Sequence, residues 1–409
     1  MKNNYKEKSF EFFYKQLIKK NSRYDFIRHE LFYIKKKKFS LLRAFFTLIR
    51  DIFILHKYSY QKIDYNEIFF FTLPNNSGLN TFKKLGNFKN HNLIKIPKKN
   101  NKKIRCNTLS YNFEIKFFKE FFFNFRNFYK EKNNELLIII LLFRFCFLVT
   151  VWQFFFKKIN SEKIIINIHN DFDIFNSSLI FYVDYLNKNK KIEVNCFQHG
   201  IPTAEFFPTK AKNYYVWSKA NKYLFNKNNV LSKRSKIYIY NYINMKKKLL
   251  NKDVNRILDN RVFLISQSQT DIYGKKVQKF IINFFQRLLT INENTYCLLH
   301  PNENYMSALY LYKKNIIRPP HNFNHNEKTM IFISYCSTAI IEAMLSNHIV
   351  IGIDINAQNS INTYNLYSPP IKVKNASQFI KLYKEIKNNN KLINEILNKQ
   401  KKYLYKLFN

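Results

Sequence analysis

Glycine is almost missing from this sequence, with five in 409 residues, so each placement marks a backbone position with a special demand. Cysteine is as sparse. The five, Cys106, Cys146, Cys196, Cys297 and Cys336, form no CxxC pair. An odd count in apolar strand contexts leaves no disulfide framework and reads as reduced core thiols of a cytoplasmic protein. Acids are few: 27 Asp and Glu stand against 69 Lys and Arg, a formal charge of +42. That imbalance implies attraction to a polyanion, whether an anionic membrane surface, an acidic glycan or nucleic acid. No RNP-like strand, zinc finger or basic zipper accompanies the charge, which argues against nucleic acid. The opening Met1-Lys-Asn-Asn-Tyr-Lys6 lacks the apolar stretch of a signal peptide.

What remains is apolar and aromatic. A hydrophobic content of 46% with 18% aromatics belongs to the globular class, and the length suffices for two domains with separate cores. Lys35 to Lys38 form a basic run between aromatic-rich helical segments, either a membrane-surface contact or a solvated helix face. Leu136 to Phe156 is long enough to span a bilayer, but Arg144 sits near its middle and Gln153 near its end. The alternative is a long buried helix with Arg144 paired or snorkelling.

Residues 1–60 read as a basic, aromatic helical extension. Strands are expected at 67–72 and 92–96, with the turn Pro74-Asn-Asn-Ser-Gly78 between them, and helical periodicity dominates from about 112 to 158. A βαβ unit follows: strand 163–168, a loop holding Asp171 and Asp173, helix 177–188 and strand 192–197. Further strands are expected at 214–217 and 236–240. The pattern restarts with strand 261–265, the polar loop 266–274, a helix over 275–290, strand 295–299, a connection through Pro319-Pro320, a strand and helix around Ser337, and strand 348–353. The last forty residues are helical and Lys-rich, placed to pack back across the first domain. The organisation is an N-terminal extension (1–60), a first α/β domain (61–250), a second α/β domain (251–390) and a C-terminal helix (391–409), with the boundary near 245–258.

Strand-end residues carry the chemistry. Gly200 follows a strand in Phe197-Gln-His-Gly-Ile-Pro202, where it allows a turn that other residues resist and holds His199 at the sheet edge as a general base or phosphate ligand. His300-Pro301-Asn302-Glu303 ends another strand, and that Pro fixes the chain's exit. Ile331-Phe-Ile-Ser-Tyr-Cys-Ser-Thr-Ala-Ile-Ile-Glu342 is a strand running into a helix. Ser337 is its N-cap, and Glu342 reads as a first-turn acid. A helix start rich in hydroxyls attracts anions, and two parallel strands would deliver both loops to one carboxyl edge. A phosphate-bearing, nucleotide-activated substrate follows.

The order Gln198-His199-Gly200, Pro208, Tyr214-Tyr-Val-Trp217, the Ser/Gln-rich loop at 266–270, His300-Pro301 and Ser337-Thr338…Glu342 resembles a group of GT-B glycosyltransferases of bacterial surface polysaccharides. The group includes capsule synthesis proteins, sialyl- and polysialyltransferases, and polyol-phosphate transferases. The resemblance covers roughly 160–360. It implies an α/β fold of two Rossmann-like domains, an acceptor domain (61–250) and a nucleotide-sugar domain (251–390), facing across a cleft, with no cofactor beyond the nucleotide-sugar donor, a CMP-sugar favoured. The implied acceptor is a glycan or lipid-linked, and the implied place is peripheral to the inner face of the cytoplasmic membrane. By the same resemblance, His300 stabilises the leaving phosphate and Ser337 and Thr338 hold it. Glu342 meets the ribose, and Ser266, Gln267 and Pro301 complete the donor site. The sequence departs from the sialyltransferases at the base, where His199-Gly200 replaces an acidic pair, as in the polyol-phosphate transferases. His199 is therefore the expected base, with Asp171 or Asp173 as substitutes. Asp171-Phe-Asp173 matches a metal motif only in letters, so the expected chemistry needs no metal.

Overall fold

The computed structural model describes residues 22–35, 38–56, 69–72, 92–95, 107–108, 114–129, 135–157, 159, 163–187, 191–202, 204–229, 235–240, 257–266, 275–300, 303, 305–318, 328–335, 337–355 and 366–408. Two compact units emerge. The first is 1–199, 204–217 and 221–240; the second is 200–203, 218–220 and 241–409. The expected turn at 74–78, Pro319-Pro320, Gln267, Pro301 and most of the expected boundary at 245–258 lie outside the described residues.

The first unit is built on a parallel sheet of seven strands, β1 (Phe69–Thr72), β2 (Asn92–Lys95), β3 (Asn107–Thr108), β4 (Lys163–Ile168), β5 (Lys191–Phe197), β6 (Asn213–Val216) and β7 (Lys236–Ile239), in the order β3-β2-β1-β4-β5-β6-β7. Ile164, Ile166 and Ile168 of β4 are fully buried, as expected of a central parallel strand covered on both faces. Helices α1 (Arg28–Lys35), α2 (Ser40–His56), α3 (Ile115–Phe128), α4 (Leu136–Lys157), α5 (Ile174–Phe181) and α6 (Lys219–Asn228) belong to this unit, apart from the first two residues of α6. Asp173 caps α5, so that helix starts three residues before the expected 177, and a single π turn (Tyr182–Leu186) ends it.

By length and composition α4 could cross a bilayer, yet it is mostly buried in the unit. Arg144 is buried at its middle. Its Nε donates to Asp51 of α2 at 2.8 Å, and its guanidinium reaches Glu30 of α1 at 3.3 Å. Burial works against the charge, and the two carboxylates more than offset it. The N-terminal helices α1 and α2 are thus each tied into the unit by an ion pair to Arg144.

The second unit repeats the plan with β8 (Ile257–Ile265), β9 (Thr295–Leu298), β10 (Ile316–Ile317), β11 (Lys328–Ser334), β12 (Ile349–Ile353) and β13 (Lys372–Val373), parallel and ordered β10-β9-β8-β11-β12-β13. Its helices are α7 (Lys275–Leu289), α8 (Tyr305–Tyr312), α9 (Thr338–Leu345), α10 (Ala376–Lys387) and α11 (Asn390–Phe408). Helix α11 packs inside this unit. Gln400 is buried, accepts from the Val350 N–H at 2.7 Å and donates to the His348 carbonyl at 2.7 Å. It serves the part of β12 that the two-residue β13 leaves unpaired. Both sheets carry the doubly wound order, in which the chain reverses direction across the sheet at one point and leaves a crevice at the strands' carboxyl ends. That point lies between β1 and β4 in one unit and between β8 and β11 in the other. The fold is α/β, with two Rossmann-like units.

Candidate functional site

In the first unit the loop leaving β4, His169 to Asp173, starts beside the switch point, and Gln198-His199 leaves the neighbouring β5. His199 is half-buried, with its ring stacked on Phe206 (centroids 5.2 Å, 17°) and 5.3 Å from the His169 ring. Its Nδ1 lies 2.6 Å from the His169 carbonyl oxygen. A carbonyl can only accept, so Nδ1 carries the proton and Nε2 keeps its lone pair. Burial pushes the imidazole below its usual range, opposed by that hydrogen bond and by the charge of Glu205. A neutral imidazole with an unprotonated Nε2 is equipped for general-base work.

The two aspartates have structural tasks. Asp173 takes the Phe175 and Asn176 N–H groups on Oδ1, both at 2.9 Å, and the Asn176 side chain on Oδ2. Burial raises its carboxyl to about 6. Fully buried Asp171 accepts the Lys210 and Ala211 N–H groups on Oδ2, pinning the 209–211 turn. The Lys210 ammonium reaches the Asp171 carbonyl at 3.4 Å and is lowered to about 8, by burial first and then by Arg28. Arg28 of α1 is fully buried, pairs with Asp25 and donates to the Pro208 carbonyl at 2.8 Å. Tyr33 of the same helix donates to Glu205 at 2.7 Å, and His29 stands 3.4 Å from that carboxylate. His169, Lys210, Glu205 and Arg28 went unnoticed in the sequence. His169 had a signal, directly following β4; the others had none.

In the second unit Ser337 caps α9, accepting from the Ala339 N–H at 3.3 Å. Glu342 is half-buried in the second turn, so the expected first-turn acid is corrected: the helix begins at Thr338 and has no acid in that turn. The Thr338 hydroxyl accepts from the Ile201 N–H at 3.1 Å, within the short 200–203 piece that groups with this unit. A Cβ on Gly200 would lie 3.2 Å from that hydroxyl, while the Gly200 φ lies outside the left-handed region. Glycine there serves a close approach and not, as expected, an unusual turn. At the end of β11 the buried Ser334 hydroxyl has no hydrogen-bond partner among the described residues, and buried hydroxyls are rarely left so.

Ser266, at the end of β8, is buried, and its hydroxyl donates to Glu303 and lies 3.3 Å from the Tyr312 hydroxyl. The other Glu303 oxygen accepts the His300 N–H. Glu303 therefore ties the loop after β9 to the end of β8 and sets where His300 stands. Glu303 was in view beside His300 in the sequence, but nothing there disclosed this role.

No family model and no curated protein matches the chain. Solved structures do, at low identity. The H444N variant of the wall teichoic acid polymerase TagF aligns over 91% of this chain and 93% of its own, 10% identical, with a TM-score of 0.43. The S. aureus MnaA–UDP structure aligns over 82% of this chain and 90% of its own, 12% identical, with a TM-score of 0.44. TarM aligns over 64% of this chain, 12% identical, with a TM-score of 0.37, and the chain spans 55% of TarM's length. The fold rests on the two sheets themselves.

Proposed function

We propose that this protein is a GT-B glycosyltransferase of surface-glycan synthesis, working peripheral to the inner face of the cytoplasmic membrane. Its donor is a nucleotide-sugar, a CMP-sugar favoured, and its acceptor a glycan or a lipid-linked glycan. The observation that carries the reading is chemical. One Rossmann-like edge holds a neutral histidine with a usable Nε2, and the other holds a serine-capped helix start at its switch point.

In this reading His199 Nε2 takes the proton of an acceptor hydroxyl as its oxygen bonds to the donor's anomeric carbon. The bond from that carbon to the phosphate oxygen breaks, and its electron pair leaves with the nucleotide. The first-turn N–H groups of α9, with Ser337 and Thr338, hold the departing phosphate where charge accumulates. His300 stabilises or protonates it, and Glu342 meets the ribose. Ser266 acts through Glu303 by fixing the His300 loop. Neither Asp171 nor Asp173 is needed as base, and both are engaged in local structure; the chemistry is proposed as metal-independent.

One feature favours a second reading, a CDP-polyol phosphotransferase of the teichoic-acid type: the base is a histidine before glycine, where the sialyltransferases place an acidic pair. A non-catalytic glycan- or nucleotide-binding assembly protein is the reading from another class. The test is release of CMP, CDP or UDP from a donor panel by the wild type and by His300→Ala. Sugar-dependent release that His300→Ala abolishes supports transfer, and CDP-polyol turnover selects the second reading. Binding of a donor or of a glycan without turnover selects the third, and silence toward every donor sinks both enzyme readings.

A further inference from the structure

Helices α2 and α3 both pack on α4, and each turns outward a face that should be inward by its chemistry. On α2, Leu42, Phe46 and Phe53 are exposed, the two rings at 58% and 63%; on α3, Phe118, Phe122 and Phe123 are exposed, the last two at 57% and 60%. Single exposed rings are ordinary, but rows of them on two helices of one unit are not. The charges on the same helices are sorted. The acids are drawn to α4: Asp51 holds Arg144, and Glu120 meets Gln153 and Lys157. The cations Arg43, Arg50, Lys116, Lys119 and Arg126 are all exposed.

We infer that the α2–α3 face is a docking surface for an anionic phospholipid bilayer, with the helices lying in the headgroup plane. Aromatic side chains interleaved with cations, and acids withdrawn, match that interface: rings enter the acyl boundary while Lys and Arg remain at the phosphates. A second copy of this chain would set cations against cations. Arg50 is paired with Asp51 at 2.8 Å, but a neutral apolar partner would leave Arg43, Lys116, Lys119 and Arg126 unanswered. The formal charge of +42 adds long-range attraction to the same surface. The inference deepens the proposed function and rests on it for why a lipid-linked acceptor would be met there; the surface itself stands on its own residues.

The test is cosedimentation of the full chain with vesicles of phosphatidylcholine alone or mixed with phosphatidylglycerol, at low and high salt. The wild type should bind the mixed vesicles and lose much of that binding in salt or on neutral vesicles. Arg43→Gln/Lys119→Gln/Arg126→Gln should weaken binding about a hundredfold, at roughly fivefold per cation removed. Phe46→Ser/Phe53→Ser/Phe122→Ser/Phe123→Ser should abolish it while keeping the wild-type melting profile, since those rings support little of the core. The inference is overturned if the wild type ignores both vesicles or if both variants bind as it does. It is also overturned if the wild type self-associates without lipid and the serine variant does not. Nucleotide release is measured in the same preparations: vesicle binding without release spares the surface and sinks the enzyme reading, and the reverse outcome does the opposite.

Discussion

His199 donates its Nδ1–H to the carbonyl oxygen of His169, 2.6 Å away, so a main-chain oxygen sets the tautomer of the proposed base. Such an orienter cannot be removed by mutation and does not titrate. The consequences of this arrangement can be measured.

His199→Ala should lower transfer by a factor of about 10²–10⁴, the usual worth of a positioned base, while leaving donor binding unchanged. Because burial depresses this imidazole, the acid limb of kcat/KM in the wild type should fall below the ordinary histidine value of about 6.5. An acid limb above that value would remove His199 from the role.

His169 is fully buried, and burial, followed by the charge of His199, holds its imidazole well below the ordinary value. A group depressed in the folded state gives stability that is present above its unfolded pKa. That stability is lost as pH falls toward the folded value, because the unfolded chain takes the proton first. Acidification from pH 7 to 5 should therefore cost stability at this residue. Asp173, raised to about 6, acts in the opposite sense, since a buried carboxylate gains by protonation on folding. Thermal melts of the wild type and His169→Asn across this window separate the two, and the variant should show the smaller acid loss.

Arg144→Met should destabilise the first unit by about 3–5 kcal/mol in urea titrations, since it strands Glu30 and leaves Asp51 only the exposed Arg50 beside a buried helix. Adding Glu30→Gln and Asp51→Asn should restore most of the loss. If the triple variant is no better than the single one, packing of the Arg144 stem outweighs its charge.

Much of the central architecture was legible because buried parallel strands are apolar runs. Ile164 to Ile168, Thr329 to Ile333 and Ile349 to Ile353 announce themselves. The edge strands β3, β10 and β13 have two residues each and leave no pattern to read. The placement of the candidate residues was legible where one short stretch holds both the strand end and the side chain, as at His199, His300 and Ser337. It was illegible where partners meet only through the fold. Asp171 and Asp173 look interchangeable in sequence. The structure makes one a helix cap and the other the anchor of a turn 39 residues away.

Gln400→Leu removes two hydrogen bonds from buried backbone groups of β12 and its approach. At about 1–3 kcal/mol for each group left unpaired, the second unit should lose roughly 2–6 kcal/mol. Hydrogen exchange should report the change at Val350 before β4 of the first unit is affected.

Arg28 and Pro208 are 180 residues apart in the chain. At ordinary synthesis rates of 5–20 residues per second, the arginine is polymerised about 9–36 seconds before its acceptor exists. During that interval α1 and its neighbours are a nascent, aromatic, positively charged segment without the surface they are shaped to meet. Closure of the Arg28–Pro208 contact is thus a late event in the making of this chain.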